Sequence, residues 1–134
     1  MPDPLACIVV GGGPAGALLS YMLARQGLPV ALLEMHQNFE RDFRGDTLHP
    51  SILEIMDELG LAERLLALPH TRLTHATLPT ESGPITLADL SSLKTRFPFV
   101  ALMPQARFLD FVTGEAKHFP NFQLIMVPAA AQAR

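Results

Sequence analysis

Three stretches of the chain are apolar with almost no interruption. Residues 5–10 read Leu-Ala-Cys-Ile-Val-Val, residues 30–33 read Val-Ala-Leu-Leu, and residues 122–127 are apolar but for Gln123. A continuous apolar run suits a parallel strand covered on both faces, because a one-sided strand alternates. Gly11-Gly12-Gly13 breaks the first run. Pro14 then stands where a helix opens, since the first turn does not use its missing N–H. Residues 15–26 are expected to be helical, with Leu18, Leu19, Met22 and Leu23 on or near one face, and Gly27 as the stop. Strand, turn, helix and second strand (residues 29–34) fill about thirty residues, the size of a right-handed βαβ crossover. The third run is expected to pair beyond the second strand, on the far side from the first.

The middle of the chain is less regular. Residues 35–47 are polar and read as a loop. His49-Pro50 opens a helix through Leu59 that Gly60 closes, with Leu53, Ile55, Met56 and Leu59 as its core positions. A short helix follows over 61–68. Residues 72–78 and 84–87 read as two strands joined by Thr80-Glu81-Ser82-Gly83, and 99–102 as another. Phe97 and Phe99 read as packing residues. Residues 104–118 form an amphipathic helix with Phe108, Val112 and Ala116 on one side and Leu109 beside them.

Composition narrows the options. A chain of 134 residues with 49% hydrophobic and 17% charged residues is one domain's worth of globular sequence. Ten Lys and Arg against thirteen Asp and Glu give a net charge of −3, without a basic run. Nucleic acid is therefore not an expected partner, because neutralising phosphates takes clustered cations. Cys7 is alone, so neither an internal disulfide nor a Cys-based zinc site forms. The five histidines show no metal-ligand spacing and receive no role. The longest polar-free run, residues 5–19, holds four glycines and a proline and falls short of the roughly 20 apolar residues a membrane span needs. No positive segment precedes it, so the expected compartment is the cytoplasm.

The chemistry lies in the first turn. Gly11-x-Gly13-x-x-Gly16 has the spacing of a dinucleotide-binding fingerprint. Gly11 permits the tight turn, Gly13 lets a pyrophosphate approach the backbone, and Gly16 lets the helix lie close to the sheet. Pro14 and Ala15 open the helix, whose N-terminal N–H groups and partial positive charge suit phosphate. Glu34 stands at the end of the second strand, 23 positions after Gly11, near the expected spacing of about 20. Its carboxylate can accept hydrogen bonds from both ribose hydroxyls and repels a 2′-phosphate, which disfavours NADP in this site. NAD and FAD both present an ADP moiety to such a unit, and the fingerprint does not choose between them.

Other segments do. Gly11-Gly12-Gly13-Pro14-Ala15-Gly16, then Phe43-Arg44-Gly45-Asp46-Thr47-Leu48-His49-Pro50 with Leu53-Glu54-Ile55-Met56-Asp57-Glu58-Leu59-Gly60-Leu61, then Met103-Pro104-Gln105-Ala106-Arg107-Phe108-Leu109-Asp110, occur in order. Together they resemble the N-terminal part of the FAD-dependent aromatic hydroxylases, the p-hydroxybenzoate hydroxylase-like flavoprotein monooxygenases. The resemblance implies an α/β fold with a Rossmann-like βαβ FAD-binding unit and a parallel sheet, incomplete relative to the family fold. It implies a partial FAD-binding domain over residues 1–134, with its βαβ core at 5–34, family-like segments at 43–61 and 103–127, and an atypical tail at 128–134. FAD is the implied cofactor, NAD(P)H the co-substrate and a small aromatic molecule the substrate. Arg44 corresponds to an arginine that lies along the FAD pyrophosphate and ribityl chain, Gln105 to a glutamine that hydrogen-bonds the flavin part, and Glu34 to the ribose-binding acid. No catalytic acid or base is implied, because the cofactor carries the hard chemistry.

The departures carry expectations of their own. The family's later Asp-Gly and Gly-Asp motifs and its substrate domain have no counterpart here, and residues 128–134 leave the family pattern, as a truncated frame, a frameshift or a gene fragment would. The first strand's open edge then lacks a partner, an aggregation hazard, and the isolated chain is expected to be marginally stable or to need FAD or a partner chain. An inert or partner-dependent nucleotide-binding fragment, another FAD oxidoreductase (epoxidase, halogenase, reductase) and an NAD-dependent dehydrogenase are the competing readings. The last leaves Arg44 to Thr47 and Pro104-Gln105 unexplained.

Overall fold

The computed structural model describes residues 4, 6–40 and 45–126. In chain order the elements are β1 (Cys7–Val10), α1 (Pro14–Arg25), β2 (Val30–Glu34), β3 (Thr47–Leu48), α2 (Pro50–Glu58) and α3 (Ala62–Leu66). There follow β4 (Thr71–Leu73), β5 (His75–Leu78), β6 (Ile85–Asp89), β7 (Val100–Leu102), α4 (Gln105–Ala116) and β8 (Phe122–Met126). They divide into two compact units, one holding residues 1–44 and 105–134, the other residues 45–104. No helix among the described residues is long and apolar enough to cross a membrane.

The first unit carries a parallel sheet in the order β1–β2–β8, as the three apolar runs led us to expect. Cys7 pairs with Val30 and Val30 with Phe122, so the three strands start level. α1 links β1 to β2, and α4 leads into β8. Both helices therefore run antiparallel to the strands, and both N-termini lie at the carboxyl end of the sheet. Gly27 (φ +83°) ends α1 in a Schellman motif: its N–H donates to the Ala24 carbonyl and the Leu28 N–H to that of Leu23. The Asn121 amide donates to the Ala24 and Leu28 carbonyls, at 2.9 and 2.7 Å, and ties this turn to the start of β8.

Two expectations about this unit are overturned. Leu19 and Met22 are exposed, and α1 instead buries Ala17, Ser20, Tyr21 and Ala24. Gly16 lets the helix lie so close that small residues fill the contact. Cβ atoms of β1 also do not point into cover on both sides. Ile8 and Val10 are 57% and 81% exposed, whereas β2 between its two neighbours is buried at Val30, Ala31, Leu32 and Glu34. α4 buries Phe108, Val112 and Ala116 with Leu109, the face its periodicity predicts.

The second unit packs α2 and α3 through Leu53, Met56, Leu61 and Leu65, all 1% exposed or less. Gly60 (φ +74°) closes α2 in the same Schellman pattern, with Leu61 N–H on the Met56 carbonyl. Ile55, expected in the core, is 39% exposed, because it lies on the far side of the helix from Leu53. Thr47, expected at the end of a loop, forms a short strand with Leu48: β3, β7 and β4 form an antiparallel sheet in that order. The single strand expected over 72–78 is two, separated at Thr74. β4 pairs with β7, and β5 turns away to form a hairpin with β6 across the expected Thr80–Gly83 turn. Phe97 and Phe99 are buried edge to face, as packing residues. The Arg72 guanidinium lies 4.3 Å over the Phe99 ring.

Candidate nucleotide site

At the end of β1 the Gly11 N–H still donates to the Leu33 carbonyl, at 2.8 Å, and then the backbone leaves the strand with φ +104° at Gly11. Only glycine holds that conformation at low cost. The chain passes through Gly12 to Gly13, which is the N-cap of α1, with Pro14 and Ala15 opening the helix. No side chain caps this terminus. Its amide groups and the helix dipole are therefore directed at the space a phosphate would take.

Three glycines of this turn answer to three different constraints. A Cβ on Gly16 would collide with the Gly11 carbonyl oxygen and press on Val9. That is the close helix–strand approach expected of this position. A Cβ on Gly13 would meet no atom within 4 Å, so the backbone there borders open space, as approach by a pyrophosphate requires. Gly12, which has no task in the fingerprint, is the third. A Cβ on it would lie 2.7 Å from Glu34 Oε2 and 3.0 Å from the Phe39 ring.

Glu34 is brought to this turn by the β1–β2 pairing, and its side chain is only 2% exposed. The Gly12 N–H donates to Glu34 Oε2 at 2.8 Å. Oε1 accepts the His36 N–H at 2.9 Å and the His36 ring Nδ1–H at 2.7 Å. A carboxylate only accepts, so Nδ1 carries the hydrogen. The acid is thus turned inward and bonded within the protein, where the sequence suggested a carboxylate open to ribose. His36, one of the histidines without an assigned role, sits against it. Nothing in the sequence marks His36 except its place two residues after the acid.

Gln105 is the first residue of α4 and so lies at the carboxyl end of the sheet, the same end as Gly13 and Glu34. That is where ligands bind in open α/β sheets. Arg44 falls outside the described residues. The structure thus brings Gly11, Gly12, Gly13 and Glu34 into one cluster and puts Gln105 at the same sheet edge.

Comparison with known proteins identifies the group to which this turn belongs. Residues 5–128 match the family described as FAD binding domain. An aromatic compound monooxygenase of Bacillus subtilis (strain 168), YhjG, itself uncharacterised, is 29% identical over 112 residues, 82% of this chain and 21% of that protein. The crystal structure of p-nitrophenol 4-monooxygenase PnpA from Pseudomonas putida DLL-E4 superposes with a TM-score of 0.77 at 22% identity, covering 90% of this chain and 31% of PnpA. The myxobacterial FAD-dependent halogenase CndH superposes with a TM-score of 0.76 at 24% identity, covering 93% of this chain and 29% of CndH. The chain thus spans between a fifth and a third of the length of these relatives. Both structural likenesses rest on the shared α/β fold, and the match over residues 5–128 supplies the rest: the chain belongs to the FAD binding domain family, whose cofactor is FAD.

Proposed function

We propose that this chain holds the ADP part of FAD against the β1–α1 turn and acts as the N-terminal, FAD-binding portion of an NAD(P)H- and O2-using aromatic monooxygenase of the cytoplasm. The observation that carries the reading is the pair formed by Gly13 and the uncapped start of α1, open backbone beside a positive helix end. The residues fit the cofactor. Gly11 turns the chain aside, and Gly13, Pro14 and Ala15 present backbone and helix terminus to the pyrophosphate. Gly16 keeps α1 against the sheet, and Glu34 ends β2 beside the turn, its carboxylate held inward by the Gly12 N–H and His36. Gln105 faces the same edge for the flavin part, and Arg44 adds a planar cation suited to phosphate oxygens.

When bound and reduced by NAD(P)H, FAD supplies oxygen activation, and an aromatic molecule is the acceptor. The chain's own residues bind and orient; none of them moves a proton in this scheme. A halogenase is the second reading, favoured by the likeness to CndH, because both reaction types draw on the same cofactor-binding fold.

Titrating FAD with the purified full chain and following flavin fluorescence tests the first half of the proposal. Quenching that saturates, and that weakens at least about tenfold in Glu34→Ala through loss of charge-assisted bonds, is the expected result. Unchanged fluorescence at high protein concentration overturns it.

A further inference from the structure

The second unit contains a cavity of about 350 Å³, within the size range of small-molecule sites. Leu66 at the end of α3, Phe97 and Phe99 give it apolar walls, and Glu63 of α3, Arg72 of β4 and Arg96 give it charge. The two cations are not equivalent. Arg96 is spent on acids: Nη1 donates to Asp57 at 2.8 Å and Nη2 to Glu63 at 3.3 Å. Arg72 pairs with no carboxylate among the described residues, yet it is held at two points. Its guanidinium lies 4.3 Å over the Phe99 ring, and its Nε–H donates to His70 Nε2 at 3.3 Å. The His70 ring is fixed in turn by a 2.8 Å bond between Nδ1 and the Leu68 carbonyl. A carbonyl only accepts, so Nδ1 carries the hydrogen and Nε2 is the acceptor. The Nε–H of Arg72 is therefore used within the protein, and the N–H donors of its two Nη groups are not.

We propose that this cavity binds a small monocarboxylate with an apolar body, its carboxylate taken by the Nη groups of Arg72 and its body by Leu66, Phe97 and Phe99. A guanidinium fork matches a carboxylate with two parallel hydrogen bonds. An arginine already stacked on a ring and bonded through Nε loses little further freedom when the ligand arrives. The neighbouring charges set the charge of the ligand. Arg96 is balanced by its two acids, which leaves Arg72 as the cation to be answered. Glu63 borders the same cavity, and its carboxylate opposes a dianion such as a phosphate monoester. The inference does not depend on the nucleotide reading, because every residue in it belongs to the second unit.

The test titrates the full chain with hexanoate, with 1-hexanol as its uncharged counterpart, and with hexyl phosphate at about pH 8, where the phosphate ester is a dianion. Backbone amide NMR shifts report binding and its place. Hexanoate is expected to shift the amides of Leu66, Arg72 and Phe99, and to bind at least about tenfold more tightly than either of the other two. Arg72→Gln is expected to abolish the preference for hexanoate over 1-hexanol and to leave 1-hexanol binding within about twofold. Equal binding of hexanoate and 1-hexanol overturns the proposal, as do shifts confined to other residues, or no saturable shift at tens of millimolar hexanoate. Hexyl phosphate binding as tightly as hexanoate overturns the assignment to a monocarboxylate. A folded Arg72→Gln that keeps the preference also overturns it. If that variant does not fold, the comparison of the three ligands on the unmodified chain decides alone.

Discussion

β1 (Cys-Ile-Val-Val) and β2 (Val-Ala-Leu-Leu before Glu34) are both continuous apolar runs and lie side by side in register, yet they meet opposite environments. β2 has a hydrogen-bonded neighbour on each edge, and Val30, Ala31 and Leu32 are at most 1% exposed. β1 ends the sheet. Cys7 and Val9 share the face that carries Gly16 of α1, whereas Ile8 and Val10 are the exposed pair. An apolar run reports that a strand tolerates burial on both faces. Position within the sheet decides whether it receives it.

The sharpest way to break this comparison is to shorten one side chain on each strand. Leu32→Ala is expected to cost about 2–5 kcal/mol in urea unfolding, the range for deleting a buried leucine. Ile8→Ala should change stability by no more than about 0.5 kcal/mol, as at an ordinary surface site. An Ile8→Ala cost approaching that of Leu32→Ala would show that the β1 face is covered in solution, by another molecule or another part of the chain.

A smaller effect separates two glycines of one motif. Gly16→Ala forces a Cβ onto the Gly11 carbonyl, and an overpacking cost of about 1–3 kcal/mol is expected in the same assay. Gly13→Ala meets open space and should leave the unfolding midpoint nearly unchanged while weakening FAD quenching. If Gly13→Ala instead destabilises the fold and leaves FAD quenching intact, the open space at that position is not where phosphate goes.

The smallest expected effect lies in the β5–β6 hairpin of the second unit, where nearly every residue is exposed. The Ser91 hydroxyl and N–H donate to Asp89 and hold its carboxyl below its ordinary value of 3.8, with His75 adding a weaker attraction. A lowered folded-state value means that the contribution is complete above pH 3.8 and is lost as pH falls through the lower folded value. Acid titration followed by the NMR shifts of the Ser91 amide should show this, and Ser91→Ala should bring the Asp89 midpoint back up. Solvent screening keeps the effect on global stability slight.

Legibility in the sequence followed the range of the forces involved. The turn from β1 into α1 was readable because Gly11 and Gly16 answer to contacts within a few residues of themselves. The helix stops at Gly27 and Gly60 were readable for the same reason, since a positive φ is a local demand that glycine meets. The stripe of α4 was readable because Phe108, Leu109, Val112 and Ala116 repeat with the helical period over about two turns. The face of α1 was not, because Leu18, Leu19, Met22 and Leu23 make the more apolar stripe. The choice of Ala17, Ser20 and Ala24 depended on how close Gly16 lets the helix approach. Nor was the break at Thr74, where β4 keeps β7 as its partner while β5 takes β6. Asn121, bonded to carbonyls more than ninety positions earlier, carries no local signal at all.

By itself, then, the order of residues determined the glycine turn, the helix beginning at Pro14, the acid at the end of the second strand and the succession of three apolar strands. Each of these follows from backbone conformation or from periodicity along a short stretch. Tertiary structure alone decided that Ile8 and Val10 stay bare, that Gly12 has no room for a side chain, and that Glu34 faces inward with His36 bonded to it. Those outcomes depend on which atoms from distant parts of the chain arrive at the same place, and hydrogen-bond capacity and contact distance are defined only after they have arrived.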